Sequence, residues 1–504
     1  MEDRVIPQYH SVEIEIKGRC KLDNPFYAEL FGIFDGPGGE RIRVPGYYDG
    51  DGLWKLRFSP TRVGGWEYRI ESPHIAIEHR SGTLHCAAND NKRIHGGLIV
   101  SPDNPHHFIH QDGTPYFLMA YECDWLWALD LGGARTDRTR DFLRHIKAHG
   151  FNQVIMNVYA HDTSWRQGKT CPNDCGPPAL FLWEGSNESP DHSRMNLDFF
   201  RHFDAVMRLL LEEGLTAHLF FKVYNKYVNW PAKYSLQDDL YFKYIVCRYQ
   251  AFPNVIWDYA KESYYETDKD YIKNRLELIR MTDGYHRLVT IHDDRLFYAR
   301  DSHARTLDFH TGQQHHDLHA SALLERGKRE WPVFNSEFGY ECGPKGTGDL
   351  TYNVGHSAEE LVKRAYQVVM AGAYPAYYHT YTAWDVIEWD LTPPGYRYFK
   401  ILHDFFTSIE WWRFRPGEEY SIGSGGCVLA IPSREYVVFG EVVALNLEHL
   451  NGLGFSSACI DIFTGDVLTG GDAEPTTGSV NPALHIFRSP FPGQPGLWHL
   501  KVEV

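Results

Sequence analysis

Short apolar runs alternate with helical stretches through the middle of the chain. Eight runs with strand character follow one another between residues 116 and 385: "YFLMAYE", "FNQVIMNVY", "LTAHLFFKV", "NVIWDYAKE", "HRLVTIHDD", "LDFHTGQ", "WPVFNSEFG" and "AYYHTYTAWD". Segments with helical periodicity, such as "LDFFRHFDAVMRLLLEEG", separate them. Strands and helices that alternate at this spacing predict βα units and a parallel sheet. Eight such units over residues 96–412 predict a (β/α)8 TIM barrel.

The two ends of the chain have a different pattern. Residues 1–95 contain segments such as "SVEIEI" and "GWEYRIES", in which apolar and polar residues alternate between glycines and prolines. Residues 413–504 return to glycine-rich short segments such as "CVLAIPSREYVVFGEV" and "ACIDIFTGDVL". Both patterns predict antiparallel β-sandwiches. The expected fold class is therefore α/β, a TIM barrel flanked by N-terminal and C-terminal β-sandwich domains.

Composition and charge narrow the class of partner. The 504 residues include 50 Lys and Arg against 66 Asp and Glu, for a formal net charge of −16. Nucleic-acid binding depends on a cationic surface, so this balance argues against a nucleic-acid partner. The 14 Trp, 31 Tyr and 29 Phe exceed what a core alone usually needs. We expect some of these rings to line a cleft.

Neither a secretion signal nor a membrane span is evident in the sequence. The segment "MEDRVIPQYHSVEIEIKG" has no basic stretch followed by an apolar one, and no run of about 18 apolar residues occurs. These features predict a soluble, cytoplasmic protein without a membrane partner, and they leave a homo-oligomer open. The nine Cys are odd in number and scattered, as expected of free thiols. Cys171 and Cys175, the one close pair, are interpreted as structural rather than as a metal site.

Two glutamates come directly after two of the predicted barrel strands. Glu262 ends "NVIWDYAKE" and Glu337 follows "PVFNS". Active sites of such barrels lie at the carboxyl ends of the strands, so both carboxylates are expected at one mouth. Glycoside hydrolysis uses two carboxylates, about 5 to 5.5 Å apart in retaining enzymes and about 6.5 to 9.5 Å apart in inverting ones. The alternative is that each glutamate caps the helix after it, where the helix dipole favours an acid.

Polar and aromatic residues at the other strand ends weaken the capping alternative. A sugar subsite combines aromatic rings for the apolar face of the sugar with polar groups for its hydroxyls. The candidate substrate-binding residues are Glu122, Asp124, Trp125, Asn157, Tyr159, Lys222, Lys261, His292, His310, Gln313, Tyr381 and Trp384. Glu266, four residues after Glu262, is a further candidate for the site.

The strand ends also resemble those of a known family. "NVIWDYAKE" resembles the strand-four signature N-V-I-W-x-x-G-N-E of apiosidase-like barrels, in the large clan of retaining glycoside hydrolases, and "WPVFNSEFGYE" is similar to their strand-seven signature. The segments "FGIFDGPGGERIRVPGYYDGDGLWKLRFSPTRVGGWEY" and "CVLAIPSREYVVFG" are similar to the β-sandwiches that precede and follow such barrels. The resemblance covers nearly the whole chain. It implies that Glu262 is the acid/base and Glu337 the nucleophile.

One position departs from the family pattern. Lys261 stands where the clan usually has an Asn that hydrogen-bonds the sugar hydroxyl next to the anomeric carbon. Lysine is only a donor, so its contact with that hydroxyl would differ from that of an amide. Its charge would also tend to lower the pKa of Glu262, unless burial offsets the effect.

The histidine-rich segment "HTGQQHHDLH" offers a competing metal site. His315, His316, Asp317 and His319 are ligand types, and His315 and His319 could share a helical face. In the resembled barrels this strand end faces the sugar, which favours hydrogen bonding over metal binding. We therefore expect no metal and no organic cofactor.

The leading hypothesis is a retaining glycoside hydrolase that cleaves oligosaccharides or glycosides through a glycosyl-enzyme intermediate, with a carbohydrate as its partner. Two alternatives stay open. One is a transglycosidase, in which a sugar hydroxyl rather than water intercepts the intermediate. The other is a catalytically silent carbohydrate-binding protein.

Overall fold

The computed structural model describes residues 4–77, 80–162, 173–293, 306–342, 355–423, 426–450, 453–469, 474–475 and 483–503. Cys171, one of the predicted cysteine pair, lies outside these residues. The chain forms a parallel eight-stranded barrel with helices around it and a β-rich region on either side. The predicted fold class is confirmed.

The barrel strands lie side by side in the order 5-4-3-2-1-8-7-6, numbered along the chain. A parallel bridge between His292 and Thr311 joins the fifth strand to the sixth and completes the ring. Every strand residue is buried, as expected of parallel strands with helices on one face and the barrel core on the other. From the first to the eighth, the strands are Ala120–Glu122, Gln153–Asn157, Thr216–Val223, Val255–Lys261, Val289–Thr290, His310–Gly312, Val333–Asn335 and Tyr374–Tyr377.

Seven α-helices occur in the described residues. They are Asp137–Ala148 (α1), Leu197–Glu212 (α2), Leu236–Tyr249 (α3), Lys269–Thr282 (α4), Leu318–Lys328 (α5), Ala358–Val369 (α6) and Pro394–Thr407 (α7). Asn196, Ser235, Asp268 and Ser357 each accept a hydrogen bond from the first turn of the helix that follows, which fixes where that helix begins. Over the described ranges, none of the helices has the length and hydrophobicity that a bilayer-spanning segment requires.

The N-terminal region contains two sheets that pack face to face. Their shared core includes Phe34, Phe58 and Trp66, and the rings of Phe34 and Phe58 stack with centroids 3.7 Å apart. The larger sheet consists of Arg4–Pro7, Ser81–Ala87, Gly64–Glu71, Phe31–Asp35 and Arg41–Pro45. The smaller sheet consists of Val12–Lys17, Leu53–Phe58 and Tyr47–Tyr48, and a separate pair joins Arg19–Cys20 to Ile75–Ala76.

Buried ion pairs join this region to the barrel. Arg57, from the strand Leu53–Phe58, donates to Asp204 of α2 at 3.0 Å and to the carbonyl of Arg248 at 2.5 Å. Arg248 of α3 bonds Asp204 at 2.8 Å and Asp49 of the N-terminal region at 3.0 Å. Loss of one partner from such a network leaves a buried charge without compensation. The network therefore holds the N-terminal region in one position on the barrel.

A small sheet and two strand pairs connect the larger parts. Leu98–Val100, Phe108–His110 and Pro115–Tyr116 form a three-stranded sheet. Phe108 from this sheet packs against Phe309 and Tyr374, which lie where the sixth and eighth barrel strands begin. The sheet thus covers the amino end of the barrel and leaves the carboxyl end to the loops. The strand pairs are Trp183–Gly185 with Pro190–Met195, and Tyr340–Glu341 with Gly355–His356.

The C-terminal region also contains two sheets around one core. Val438, Phe487 and Trp498 belong to that core. The six-stranded sheet consists of Arg415–Pro416, Cys427–Ile431, Glu435–Gly440, Gly496–Val502, Phe455–Asp461 and Val467–Thr469. The four-stranded sheet consists of Ser421–Ile422, Val442–Asn446, Leu484–Arg488 and Glu474–Pro475.

Candidate active site

Glu262 follows the fourth barrel strand in a left-handed backbone conformation, with φ at 55°. Its main-chain N–H donates a hydrogen bond to Nδ1 of His292 at 3.1 Å. The N–H of His292 in turn donates to Asp258 at 3.1 Å, and Asp258 also bonds Nε2 of His218 at 2.9 Å. A left-handed conformation is strained for a residue other than glycine and persists where the surroundings hold it. These buried contacts supply that hold.

The surroundings of Glu262 raise the pKa of its carboxyl group. Burial raises the pKa of Glu262 to about 7, and the charge of Glu337 adds to the rise. The charges of Lys226 and Lys261 act in the opposite direction, but burial outweighs them. A carboxyl group with a pKa near neutrality can both donate a proton and take one back. The lowering effect expected from Lys261 is therefore present but more than offset.

Glu337 lies two residues beyond the seventh strand and is 2% exposed. The hydroxyl of Tyr340 donates to its Oε1, and the hydroxyl of Tyr378 donates to its Oε2 at 3.2 Å. The preceding residue, Ser336, bonds the carbonyl of Gly312 through both its N–H and its hydroxyl, at 2.9 and 3.1 Å. Both the backbone and the carboxylate of Glu337 are thus held in one orientation.

Lys261 connects two strands that are not neighbours in the barrel. Its ammonium donates to Asp124 at 2.8 Å and to Glu122, at the end of the first strand, and none of the three side chains is more than 2% exposed. Burial raises the pKa of Glu122 well above its ordinary value, although Lys261 opposes the rise. Burial also disfavours the charged form of Lys261, but Asp124 and Glu122 hold its pKa well above the ordinary value. An ammonium has three N–H groups, and the two carboxylates account for two of them.

Several buried polar atoms around the two glutamates have no hydrogen-bond partner within the described part of the chain. They are Asn157 Oδ1 and Nδ2, Glu262 Oε2, His292 Nε2 and Gln313 Oε1. Leaving such a group unpaired costs about 1 to 3 kcal/mol, so buried polar groups are normally paired. Because Nδ1 of His292 accepts from an N–H, the proton of the neutral ring lies on Nε2. The set therefore offers both donors and acceptors, as sugar hydroxyls require.

Lys222 is directed away from this set. Its ammonium donates to Asp238 of α3 at 3.0 Å and to the hydroxyl of Tyr271 of α4 at 2.5 Å. It also lies 5.7 Å from the ring centroid of Trp230. The structure thus gives Lys222 partners in the surrounding helices and does not bring it to Glu262 and Glu337.

Two further predicted residues pack against aromatic rings. His310, the first residue of the sixth strand, lies with its ring centroid 5.8 Å from that of Trp331. Tyr159 packs against Trp127 and Phe199, with centroids 5.4 and 5.7 Å away. Their neighbours are those of core residues.

The three remaining predicted aromatic residues differ in their surroundings. Trp384 is 3% exposed and meets the ring of Tyr340, which bonds Glu337, edge to face at 5.1 Å. Trp125 is fully buried and stacks on Trp127 at 5.4 Å. Tyr381 is half-buried and lies 5.8 Å from the ring of His379. Of these three, Trp384 is the residue with a ring contact to a side chain that bonds Glu337.

The histidines of the competing metal site have separate partners. His319 lies between the carbonyl of Gln367 at 3.1 Å and Glu418 at 2.8 Å, whereas His315 lies 6.4 Å from the ring of Tyr340. Across the described residues, no group of three or more His, Cys, Asp and Glu side chains is arranged to hold a metal ion.

Glu266, the additional candidate, is engaged by its own loop. Its carboxylate accepts from Lys233 at 2.9 Å and from the hydroxyl of Tyr224 at 3.4 Å. It ties the loop after the third strand to the loop after the fourth, and so supports the position of Glu262.

Four residues around the glutamates escaped the reasoning from sequence: Asp258, Tyr340, Tyr378 and Lys226. Tyr378 comes directly after the eighth strand and Tyr340 lies three residues after Glu337. A tyrosine just past an apolar run is the signal that could have found them. Lys226 lies three residues past the third strand and is 3% exposed. Its burial has no signature in the sequence.

Two family profiles match the chain. The family described as "Apiosidase-like, catalytic domain" matches residues 102–413, and a domain of unknown function (DUF5060) matches residues 5–73. A comparison with curated proteins gives no match.

Solved structures share the fold. A candidate glycoside hydrolase from Bacteroides vulgatus superposes with a TM-score of 0.80 at 21% identity, over 100% of both chains. A family 5 glycoside hydrolase from Bacteroides vulgatus gives a TM-score of 0.62 at 16% identity, over 81% of this chain and 94% of that one. At these identities the likeness shows the fold. The profile match, by contrast, spans more than half of the chain, which therefore belongs to the apiosidase-like catalytic domain family and has the enzyme class of a glycoside hydrolase.

Proposed function

We propose that this protein is a retaining glycoside hydrolase acting on oligosaccharides or glycosides, with Glu337 as nucleophile and Glu262 as acid/base. One observation carries the proposal. Glu262 is a buried carboxyl with a pKa raised to about 7, and the charge of Glu337, whose two oxygens accept from tyrosine hydroxyls, contributes to that rise. When two carboxyl groups at one site have unlike environments, one can stay protonated and serve as the acid while the other stays ionised and serves as the nucleophile.

In the first step, an oxygen of Glu337 forms a bond to the anomeric carbon while the glycosidic bond breaks. The electron pair of that bond goes to the leaving oxygen, which takes the proton of Glu262. In the second step, Glu262 takes a proton from water, the water oxygen bonds to the anomeric carbon, and the bond to Glu337 breaks. Both carboxyl groups return to their starting states.

The unpaired polar atoms support a sugar as the ligand. The amide of Asn157, Nε2 of His292 and Oε1 of Gln313 are buried donors and acceptors without partners in the described residues. Sugar hydroxyls both donate and accept, so they would relieve the cost of leaving these groups unpaired. Trp384 meets the ring of Tyr340, which bonds Glu337, and supplies an aromatic surface on that side of the site.

Turnover of 4-nitrophenyl glycosides tests the proposal. The panel holds glucose, galactose, mannose, xylose, arabinofuranose and apiose in both anomeric forms. We expect one of them to be hydrolysed with retention of configuration. NMR of the first product formed measures that configuration. Glu337→Gln should remove turnover by at least about 10³-fold. Glu341→Gln is the matched control, because Glu341 is a buried glutamate four residues on that bonds Tyr377 and Gly395 instead.

The outcomes separate the competing functions. Inversion of configuration would reject the retaining mechanism. Binding of the sugars without turnover would indicate a silent binding protein. Transfer products that dominate over hydrolysis at high acceptor concentration would indicate a transglycosidase.

A further inference from the structure

A cavity of about 300 Å³ lies at the amino end of the barrel. Its wall includes Asn152, Thr216 and Asn254, which precede or begin the second, third and fourth strands. Glu262 lies at the other end of the fourth strand, so this amino-end cavity is separate from the candidate active site. Its volume is at the lower end of the range for small-molecule sites. The cavity is therefore large enough for a small metabolite.

Cationic side chains line the amino-end cavity, whereas none of the described carboxylates does. The cations are Lys92, Arg93 and Lys147. His95, also in the wall, pairs with Asp112 at 2.8 Å. The formal net charge of the whole chain is −16, so a wall with this sign runs against the overall balance. A cleft lined by one sign of charge concentrates ligands of the opposite sign. The wall therefore favours an anionic ligand.

The ion pairs around the cavity leave positive charge over. Glu213 pairs with Arg93 at 3.3 Å, but it also accepts from Arg144 at 2.8 Å. Lys147 donates to a backbone carbonyl at 2.9 Å. Lys92 forms no ion pair within the described ranges. The three cations of the wall thus share one carboxylate, which is itself shared with a fourth cation.

Arg93 and Lys147 lie close together because both contact Gly214. The ammonium of Lys147 bonds the carbonyl of Gly214, and a Cβ placed on Gly214 would lie 3.1 Å from the Cβ of Arg93. The protein packed around Lys147 lowers its pKa, although part of the residue is exposed; the charge of Arg93 adds to the fall and Glu213 opposes it. Like charges repel, and an anion between them would replace the repulsion by attraction.

Other residues of the wall offer hydrogen-bond acceptors. Oδ1 of Asn254 is buried and has no partner in the described part of the chain, whereas its Nδ2 donates to the carbonyl of Leu215 at 2.7 Å. Burial lowers the pKa of His110 to about 4, so its ring is neutral. Nδ1 of His110 donates to the carbonyl of Gly96 at 3.4 Å, which makes Nε2 an acceptor. Such acceptors suit a ligand that carries hydroxyl groups.

We propose that the amino-end cavity binds a small polyhydroxylated anion, a sugar phosphate or a sugar acid. Arg93 and Lys147 hold the anionic group through charge-assisted hydrogen bonds. Asn254 and His110 accept from the hydroxyl groups. Phosphate and carboxylate share the charge that the wall favours, so the experiment uses both. The inference concerns a second site and does not depend on glycosidase activity.

Isothermal titration calorimetry at low salt tests the proposal, with glucose 6-phosphate, gluconate, glucose and inorganic phosphate as probes. We expect at least one of the two sugar anions to bind one molecule per chain with a Kd below about 1 mM, and more tightly than glucose or inorganic phosphate. Glucose 6-phosphate against gluconate identifies the anionic group. Arg93→Met combined with Lys147→Met should weaken the binding by at least about 10-fold, the size of losing a hydrogen bond from a charged donor.

A second double variant controls for the change in net charge. Arg135→Met combined with Arg140→Met also removes two cations, which lie at the start of α1, outside the cavity, and pair with Asp137 and Glu212. This variant should bind the sugar anions like the wild type. A sugar bound at the catalytic mouth would be retained by both double variants, so the comparison locates the site.

Equal affinity of the two double variants would overturn the inference. Glucose or inorganic phosphate binding as tightly as both sugar anions would overturn the class of ligand. Absence of binding by either sugar anion in the millimolar range would mean that the cations serve only the carbonyl ends of α1 and α2, where cations are favourable. Thermal unfolding without ligand identifies a folding defect, and Lys147→Met alone then carries the comparison.

Discussion

The main-chain N–H of Glu262 donates to Nδ1 of His292 across 3.1 Å. The left-handed conformation of Glu262, directly after the fourth strand, is thus held by a residue that follows the fifth strand. His292 is itself fixed, because its N–H donates to Asp258 within the fourth strand. Burial holds the pKa of His292 well below its ordinary value, so the ring is neutral and Nδ1 stays available as an acceptor. The position of the proposed acid/base is thus determined by the contact between two neighbouring strands.

Replacing the acceptor tests this positioning role. His292→Phe retains a ring of similar size but removes Nδ1, and we expect kcat to fall by about 10- to 100-fold, with a smaller change in KM. The expected cause is a displaced Glu262 together with the loss of the Nε2 donor, so the basic limb of the pH–rate profile should also move. Steady-state kinetics across pH on the best substrate of the panel would measure both effects. An unchanged kcat would show that the N–H of Glu262 needs no acceptor.

The raised pKa of Glu262 predicts how the rate depends on pH. The first step needs Glu262 protonated, so kcat/KM should fall as the pH rises through about 7. Glu262→Gln should lose 10²- to 10⁴-fold in rate with poor leaving groups, and its residual activity should lack this basic limb. A basic limb that survives in Glu262→Gln would assign the titration to another group.

The same shift predicts a change in stability with pH. The folded-state pKa of Glu262 is raised, so its contribution is fully present below the ordinary carboxyl pKa near 4.5 and is lost as the pH rises through about 7. Relative to wild type, Glu262→Gln should therefore gain free energy of unfolding between pH 5 and pH 8.5. Urea denaturation of the two proteins at both pH values measures the difference, and a difference that does not change with pH would contradict the buried, protonated carboxyl.

The two tyrosine hydroxyls on Glu337 offer a matched comparison. Tyr378→Phe removes a donor to Glu337, and we expect kcat to fall by about 10-fold or more, since hydrogen bonds to charged groups contribute about 1.5 to 3 kcal/mol. Tyr377, the residue before it, donates to Glu341 instead, so Tyr377→Phe should leave kcat within about 3-fold of wild type. Tyr340→Phe should resemble Tyr378→Phe. Equal kinetics for the Tyr377 and Tyr378 variants would mean that the donors to Glu337 do not matter.

The barrel and the positions of both glutamates could be predicted because each rests on local pattern. A buried parallel strand needs a short continuous apolar run, and the polar residue that ends the run lies at the carboxyl rim. "NVIWDYAKE" and "WPVFNS" both have this form, and the structure gives strands at Val255–Lys261 and Val333–Asn335. Because the strands are parallel, Glu262 and Glu337 then lie at the same end of the barrel.

Side-chain direction could not be predicted in the same way. All eight residues of Thr216–Val223 are buried, so alternation between polar and apolar residues does not show which face each one takes. Lys222 is directed to Asp238 and Tyr271, which are distant in sequence, and no local pattern indicates that pairing. Lys226 looks like an ordinary loop lysine until the fold buries it.

Lys261 stands where the resembled family has Asn. We expect its two acidic partners to need its charge for the stability of the fold. Lys261→Asn would leave Glu122 and Asp124 buried without their cation, and breaking a buried ion pair in this way costs about 3 to 5 kcal/mol. We therefore expect the single variant to lose stability in urea denaturation as well as activity. Adding Glu122→Gln and Asp124→Asn should restore most of the stability, because no buried charge then lacks a partner. If Lys261→Asn alone were as stable as wild type, the ammonium would serve the substrate rather than the fold, and kcat/KM would be the property that the variant loses.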